Sequence, residues 1–377
     1  MGVLAKQERK KRPSVVSSLL ENYKIWVLFP YLETDDPNLQ HYYDFTQSLE
    51  EYKRVFSAFN ADWIWQPVTM KSYAKVVASI RKQTGDKTPL VLNLCDGDEI
   101  NGTPGVSVIH ELEKHQLIYT GSNAFFYDIT TSKIPMKKAF DEAGVAHAKW
   151  EVINTEEAVK GVFERIGSPL IIKPAISGGS MGVSVKNVVN NEQQLYDRLQ
   201  QINNGYRGWD LSTGGLFVEQ FIAGPEFTSM IVGSSDHPDR CVIYEPVERV
   251  FHPSLPENEK FLSFDRLWEI YEEETPMPNN GNFYEYFPVD AKMIKKIKKL
   301  SLDAYCALKG QGYARIDIRM DAASRKLYTL EVNAQCGISE DEDYTSIGAI
   351  LRISGKSFAE LVLEILNDAL VRNKIIA

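Results

Sequence analysis

The stretch that most constrains this chain is Gly312 to Ala334, GYARIDIRMDAASRKLYTLEVNA. Its residues alternate in character with a period of two, the repeat of a strand with two unlike faces. Tyr313, Arg315, Asp317 and Arg319 fall on one face, and Ala314, Ile316, Ile318 and Met320 on the other. The second run repeats the pattern, with Leu327, Thr329, Glu331 and Asn333 on one face and Tyr328, Leu330, Val332 and Ala334 opposite. The small and polar residues 321–326 suit a hairpin connection. Pairing Asp317 with Glu331 places Arg315 across from Asn333, and a slip of one residue would send one strand's groups to the wrong face. The register is therefore a sharp expectation.

In that register two carboxylates, an amide oxygen and a guanidinium share one patch. Hard oxygen donors suit Mg²⁺, which keeps several waters and completes its shell with substrate phosphates. Arg315 cannot deprotonate and is suited to face negative charge developing in phosphoryl transfer. The same residues are also what an ordinary cross-strand salt bridge on a solvated face requires. The hairpin alone leaves both readings open.

A chain of 377 residues has room for two or three domains with their own cores. The net charge of −9 argues against nucleic acid as a partner. No apolar run reaches the length of a membrane span, so no membrane partner is expected. Cys95, Cys241, Cys306 and Cys336 are widely spaced and form no CxxC; they read as reduced thiols of a cytoplasmic protein. The start differs from the rest. Lys6, Arg9, Lys10, Lys11 and Arg12 face one acid, Glu8, without the apolar core of a secretory signal. Residues 1–22 are expected to form a disordered basic tail.

Beyond the tail, residues 23–31, 62–68 and 89–95 read as buried strands, with helices at 44–59, 72–82 and 107–114 and a short strand at 118–120. Strands alternating with helices predict a parallel α/β unit, and ligands of such sheets lie beyond the carboxyl ends of the strands. The turn 96–105 is therefore a candidate substrate wall. Residues 132–143 read as a helix with Lys133 and Lys137 on one face. A strand at 168–173 runs into PAISGGSMG (174–182), with extended structure resuming at 183–186. Gly178, Gly179 and Gly182 permit close backbone approach to phosphate, and Ser180 offers a hydroxyl. A flexible hairpin tip would carry the same glycines. A strand at 216–222 precedes AGPEFT (223–228), so Glu219 and Glu226 flank a tight turn. Residues 252–281 show no regular pattern. Residues 290–309 predict an amphipathic helix that buries Met293, Ile294, Ile297, Leu300 and Ala304, and 357–371 predict a final helix.

Taken in order, these segments resemble the ATP-grasp superfamily, and within it the D-alanine–D-alanine ligase branch, from about Leu92 to the C terminus. The carriers are YTGSNAFFYDITTSKIPMKKAF (119–140), IIKPAISGGSMGVSV (171–185), VEQFIAGPEFT (218–228), ARID (314–317) and LEVN (330–333). The resemblance implies an α/β protein with α+β elements and an ATP-grasp fold. Its parts would be an N-terminal parallel α/β substrate domain (23–120), a central subdomain (121–215) and a C-terminal subdomain on a mixed or antiparallel sheet (216–377). It implies Lys133, Lys173, Gly179 and Ser180 at the ATP phosphates, Glu219 at the adenine and Glu226 at the ribose. It further implies Asp317, Glu331 and Asn333 as ligands of Mg²⁺, two ions in all with Mn²⁺ able to substitute, and Arg315 as the catalytic arginine. A homodimer is a common family state.

The implied reaction is ATP-dependent joining of a small-molecule carboxylate to an amine through an acyl phosphate. Two alternatives are a strict D-alanine–D-alanine ligase and a non-catalytic ATP-binding protein of the same fold. The amino-acid half departs from the family pattern. Glu33 is the nearest candidate for a group holding the first substrate's amine. The family's HGxxGEDG is replaced by NLCDGDEINGTPG (93–105). Leu267 stands where a lysine is expected, with Arg266 the nearest cation. An acidic insertion, SEDED (339–343), precedes Thr345 and Ser346, which align best with the acceptor-carboxylate site. Asp341, Glu342 and Asp343 suit either a cationic acceptor or a plain solvated loop.

Overall fold

The computed structural model describes residues 20–34, 44–100, 102–343 and 345–375. Residues 1–19 of the expected basic tail lie outside the described residues. The first sheet has the order β2-β1-β3-β4, with β1 at Tyr23–Pro30, β2 at Asp62–Val68, β3 at Thr88–Asn93 and β4 at Ile118–Tyr119, all parallel. Alternate residues of β1 enter different cores. Ile25 and Val27 pack with Tyr52, Phe56 and Leu361, while Trp26 and Leu28 pack with Val77, Ile80 and Ile109. Burial on both faces explains why this strand reads as an unbroken apolar run.

A second sheet, order β5-β8-β6-β7, is antiparallel: β5 is Trp150–Val152, β6 Leu170–Pro174, β7 Val188–Val189 and β8 Leu216–Gln220. Residues 183–186 do not resume extended structure as expected. Ser184 caps a short 3₁₀ turn, Val185–Asn187, and Asn187 binds the carbonyls of Ile172 and Gly182, so the chain curls back onto its own loop.

The third sheet has the order β12-β11-β9-β13-β14, with β10 also on β9, and is antiparallel throughout. Its strands are β9 (Glu226–Ser234), β10 (Val242–Ile243), β11 (Val247–Phe251), β12 (Tyr284–Pro288), β13 (Gln311–Met320) and β14 (Leu327–Ala334). The helix Ala291–Ala307 lays Met293, Ile297 and Ala304 onto Ala314, Ile316 and Ile318, the apolar face of β13. The opposite face turns toward the core of the first sheet, where Tyr313 and Met230 meet Tyr52 and Leu361. Gly312 joins the hairpin to the segment after β4: its φ is +81°, and a Cβ there would lie 2.1 Å from the Gly121 carbonyl.

The hairpin register is the expected one at its inner end, with Arg315 opposite Asn333 and Asp317 opposite Glu331. Beyond Asp317 a bulge shifts the pairing, so Ile318 faces Thr329 and Arg319 faces Tyr328. The expected placement of Thr329 and Leu327 beside Glu331 is thereby corrected. Thr329 is fully buried, and its amide donates to Ala146 O at 2.8 Å.

Candidate active site

Three rungs of side chains cross the polar face of the third sheet. The first is Met230, Arg315 and Asn333; the second is Thr228, Asp317 and Glu331; the third is Arg249, Glu226 and Arg319. Asp317 is the hub of the second. Its Oδ2 accepts from Arg315 Nη2 at 2.9 Å and Asn333 Nδ2 at 3.1 Å, and its Oδ1 from Thr228 Oγ1 at 2.9 Å. Asn333 Nδ2 also lies 3.3 Å from Glu331 Oε1.

The lysines arrive from elsewhere. Lys133 opens the helix Lys133–Ala143, and its amide donates to Ala175 O at 2.7 Å. Its Nζ lies 3.0 Å from Ser177 O and 3.4 Å from Glu331 Oε2, bridging the glycine-rich loop and the hairpin. Lys173, on β6, bonds Glu219 Oε1 at 2.8 Å. Lys137, one helical turn past Lys133, is ion-paired with Glu219 Oε2 at 2.5 Å. Lys137 and Glu219 are 1% and 2% exposed.

This geometry sets the electrostatics. Burial raises the Asp317 carboxyl; Arg315 opposes the rise and Glu331 adds to it. Burial would raise Glu331 as well, but Lys133, Arg315 and Lys173 together hold it below the usual glutamate range. Burial also works against Glu219, yet Lys137 and Lys173 overcome it and bring the carboxyl down to about 2. Arg315 is pulled above its ordinary value, against burial, chiefly by Asp317, so it stays cationic.

Among the described residues no three His, Cys, Asp or Glu side chains converge as a metal cluster. The donor set is instead two carboxylates and an amide. Turning the Asn333 amide over would present Oδ1 where Nδ2 now bridges the acids. Hard, incomplete and open to phosphate, that set fits a divalent ion of the magnesium class.

Arg315, Asp317, Glu331, Asn333, Lys133 and Lys173 thus come together, with Glu219 attached through Lys173. Glu226 is one rung away and 4% exposed, ion-paired with both Arg249 and Arg319. Gly179 accepts from Trp268 Nε1 at 2.8 Å through its carbonyl, and Ser180 follows it in a left-handed conformation with φ +63°. Thr345 and Ser346 begin the helix Ser346–Ser354, where their buried hydroxyls find no partner among the described residues. No hydrogen bond or ion pair among the described residues joins them to Arg315.

Several expectations are redirected. Arg266 pairs with Glu259 at 2.7 Å and Glu274 at 3.5 Å, so its charge is already matched. Glu33 is exposed and lies 3.6 Å from Lys71. In the acidic insertion Glu340 pairs with Arg54, Asp341 with Gln47 at 2.8 Å and Glu342 with Arg352, which favours a structural loop over a cation site. Sequence reasoning missed Thr228 and Arg249, and it placed Lys137 beside Lys133 without finding its acid. Arg249 had a visible signal, a charge between Val247 and Phe251 on the inward face of a strand. Thr228 had none.

The profile of the D-ala D-ala ligase C-terminus matches residues 139–367. A D-alanine–D-alanine ligase of Stutzerimonas stutzeri is 24% identical over 339 residues, covering 86% of this chain and 97% of its own. One of Nitrosococcus oceani is 24% identical over 69% of this chain and 72% of its own. Among solved structures, the Bacillus anthracis D-alanine–D-alanine ligase complexed with ATP superposes with a TM-score of 0.64 at 17% identity, covering 94% of this chain and 98% of that one. The VanG D-Ala:D-Ser ligase of Enterococcus faecalis gives a TM-score of 0.65 at 17% identity, covering 92% of this chain and 99% of that one.

Proposed function

The chain belongs to the D-ala D-ala ligase C-terminal family, and from that premise we propose how its residues carry out the reaction. It is an ATP-grasp carbon–nitrogen ligase: it uses ATP to form an amide bond between small molecules of the amino-acid class. The observation that carries the residue assignment is the convergence of Arg315, Asp317, Glu331 and Asn333 with Lys133 and Lys173.

Lys133 and Lys173 hold the ATP phosphates, the first from beneath the glycine-rich loop and the second anchored by Glu219. Gly179 and Ser180 bring backbone N–H groups and a hydroxyl over the same phosphates. Glu219 and Glu226 lie on the nucleotide's adenine and ribose sides, held in place by buried lysines and arginines. Asp317, Glu331 and Asn333 would hold two Mg²⁺ ions, and Mn²⁺ would suit the same oxygens. A metal held there would supply Lewis-acid stabilisation of phosphoryl charge.

Arg315 faces the oxygens of that phosphoryl group as it passes to the substrate carboxylate. It then faces the oxyanion formed when the amine attacks and phosphate leaves. Thr345 and Ser346, whose buried hydroxyls have no partner among the described residues, receive the acceptor's carboxylate. Little covalent chemistry falls to the protein, whose work is positioning and charge stabilisation.

The strict D-alanine–D-alanine reading is consistent with the relatives, while the rebuilt turn at 93–105 favours other amino-acid partners. A non-catalytic protein would have no need to keep all four polar groups of the hairpin. The test is ADP and phosphate release with Mg-ATP over paired L- and D-amino acids and dipeptides, with products identified by mass. A condensation product supports the ligase assignment and names its substrates. ATP bound without condensation on any pair counts against it.

A further inference from the structure

The turn after β3 carries a carboxylate that no described residue neutralises. Asp96 makes no ion pair and no hydrogen bond to another described residue, although it lies at the carboxyl end of a parallel strand, where ligands of such sheets collect. Water reaches it, yet protein crowds it closely enough for burial to push its carboxyl up to about 7. No cation among the described residues offsets that rise. The Cys95 and Cys336 thiols and the Tyr127 and Tyr313 phenols, which feel the charge of Asp96, are themselves raised.

Hydrogen bonds fix the backbone of the turn on both sides of Asp96. Tyr127 Oη donates to Gly97 O at 2.8 Å, and Gly97 N to Pro104 O at 3.1 Å. Glu99 is engaged by Ser107 N at 2.7 Å and Gly105 N at 3.1 Å. Gln335, two residues past Asn333, donates to Cys95 O at 2.7 Å and accepts from Ser122 N at 3.3 Å, tying the turn to the end of β14. Gly337 follows. It is exposed, and a Cβ there would meet a single atom within 4 Å, Asp96 Oδ2 at 3.9 Å. The carboxylate therefore borders open space beside Gly337, and the intervening Cys336 thiol feels the charges of Arg315, Asp317 and Asp96 alike.

Among the described residues a divalent ion would find only one ligand here, because Glu99 caps backbone amides and Asp98 has another interaction. An ammonium group needs only one carboxylate. Glu33, the sequence's candidate for that task, already faces Lys71. We propose that Asp96 determines specificity by receiving the ammonium of an amino-acid substrate in the space between the turn after β3 and Gly337. This rests on the ligase reading above and adds a residue to its amino-acid half.

The test compares equilibrium binding of glycine, L-alanine and D-alanine with that of glycolate, L-lactate and D-lactate, which replace the amine by a hydroxyl. The full chain is used with Mg²⁺ and a non-hydrolysable ATP analogue. At least one amino acid should bind about 10-fold or more tightly than its hydroxy acid, as a charge-assisted bond requires. Asp96→Asn should abolish that preference with nucleotide affinity unchanged within about twofold, and Gly337→Val should weaken the amino acid by filling the space. A preference that survives Asp96→Asn, or the absence of any preference in the wild type, overturns the proposal. Condensation activity whose amine preference ignores Asp96 leaves the ligase reading standing and this inference fallen. An Asp96-dependent preference without condensation on any pair does the reverse.

Discussion

The hairpin face of β13–β14 and the turn after β3 both present carboxylates, under opposite conditions. On the hairpin each acid is matched in advance: Asp317 by Arg315, Glu331 by Lys133, and Glu219 nearby by two lysines. On the turn, Asp96 has no counter-charge among the described residues. A site for a nucleotide with several negative charges needs fixed cations, and those cations must themselves be held by acids before the ligand arrives. A site for a small ammonium needs one free carboxylate and leaves the opposite charge to the substrate. On the proposed assignment, the ATP half is balanced internally and the amino-acid half is left to be balanced by what binds.

Substitutions can break or sharpen that contrast. The largest effect is expected from Arg315→Ala, which should cut product formation by on the order of 10²–10³ or more while ATP binding persists, measured by single-turnover ADP release. Lys137→Met removes one of the two cations on a buried acid and should destabilise the fold by about 3 kcal/mol in urea unfolding. The same acid gives a pH signature. Glu219 is held at about 2 against an ordinary 4.5, so its stabilisation is fully present above 4.5 and is lost as pH falls toward 2. The component is about 3 kcal/mol, and Glu219→Gln should flatten stability over that window in acid titrations followed by circular dichroism. Asp96→Asn should raise KM for the amino-acid substrate about 10-fold without moving KM for ATP. The smallest effect is expected from Asp341→Asn combined with Asp343→Asn, under about twofold in turnover, because such exposed loop charges contribute little.

The parts legible in the sequence are those set by local repeats. The alternation around Arg315 and Asp317 gave the register, and the 3.6-residue spacing of Met293, Ile297 and Ala304 gave the helix that covers the hairpin's apolar face. The bulge beyond Asp317 was hidden because Thr329 keeps the alternation while its amide is taken by Ala146, a contact from another element. Residues 252–281 were unreadable for the same reason. Their order comes from long-range bonds, Arg207 with Asp265, Val185 N with Glu274 at 2.9 Å and Trp268 with Gly179, which clamp the segment onto the glycine-rich loop. Lys137 was visible as a neighbour of Lys133 on one helix face, but its acid lies on β8. The isolation of Asp96 is likewise a property of what surrounds it, which no spacing reports.

The most direct test of the central claim is mass-resolved condensation by the purified protein with Mg-ATP, run beside Arg315→Ala under conditions where both bind ATP. The account predicts an amide product and stoichiometric ADP from the wild type, with product formation lost in the variant. Condensation at an undiminished rate in Arg315→Ala would contradict it.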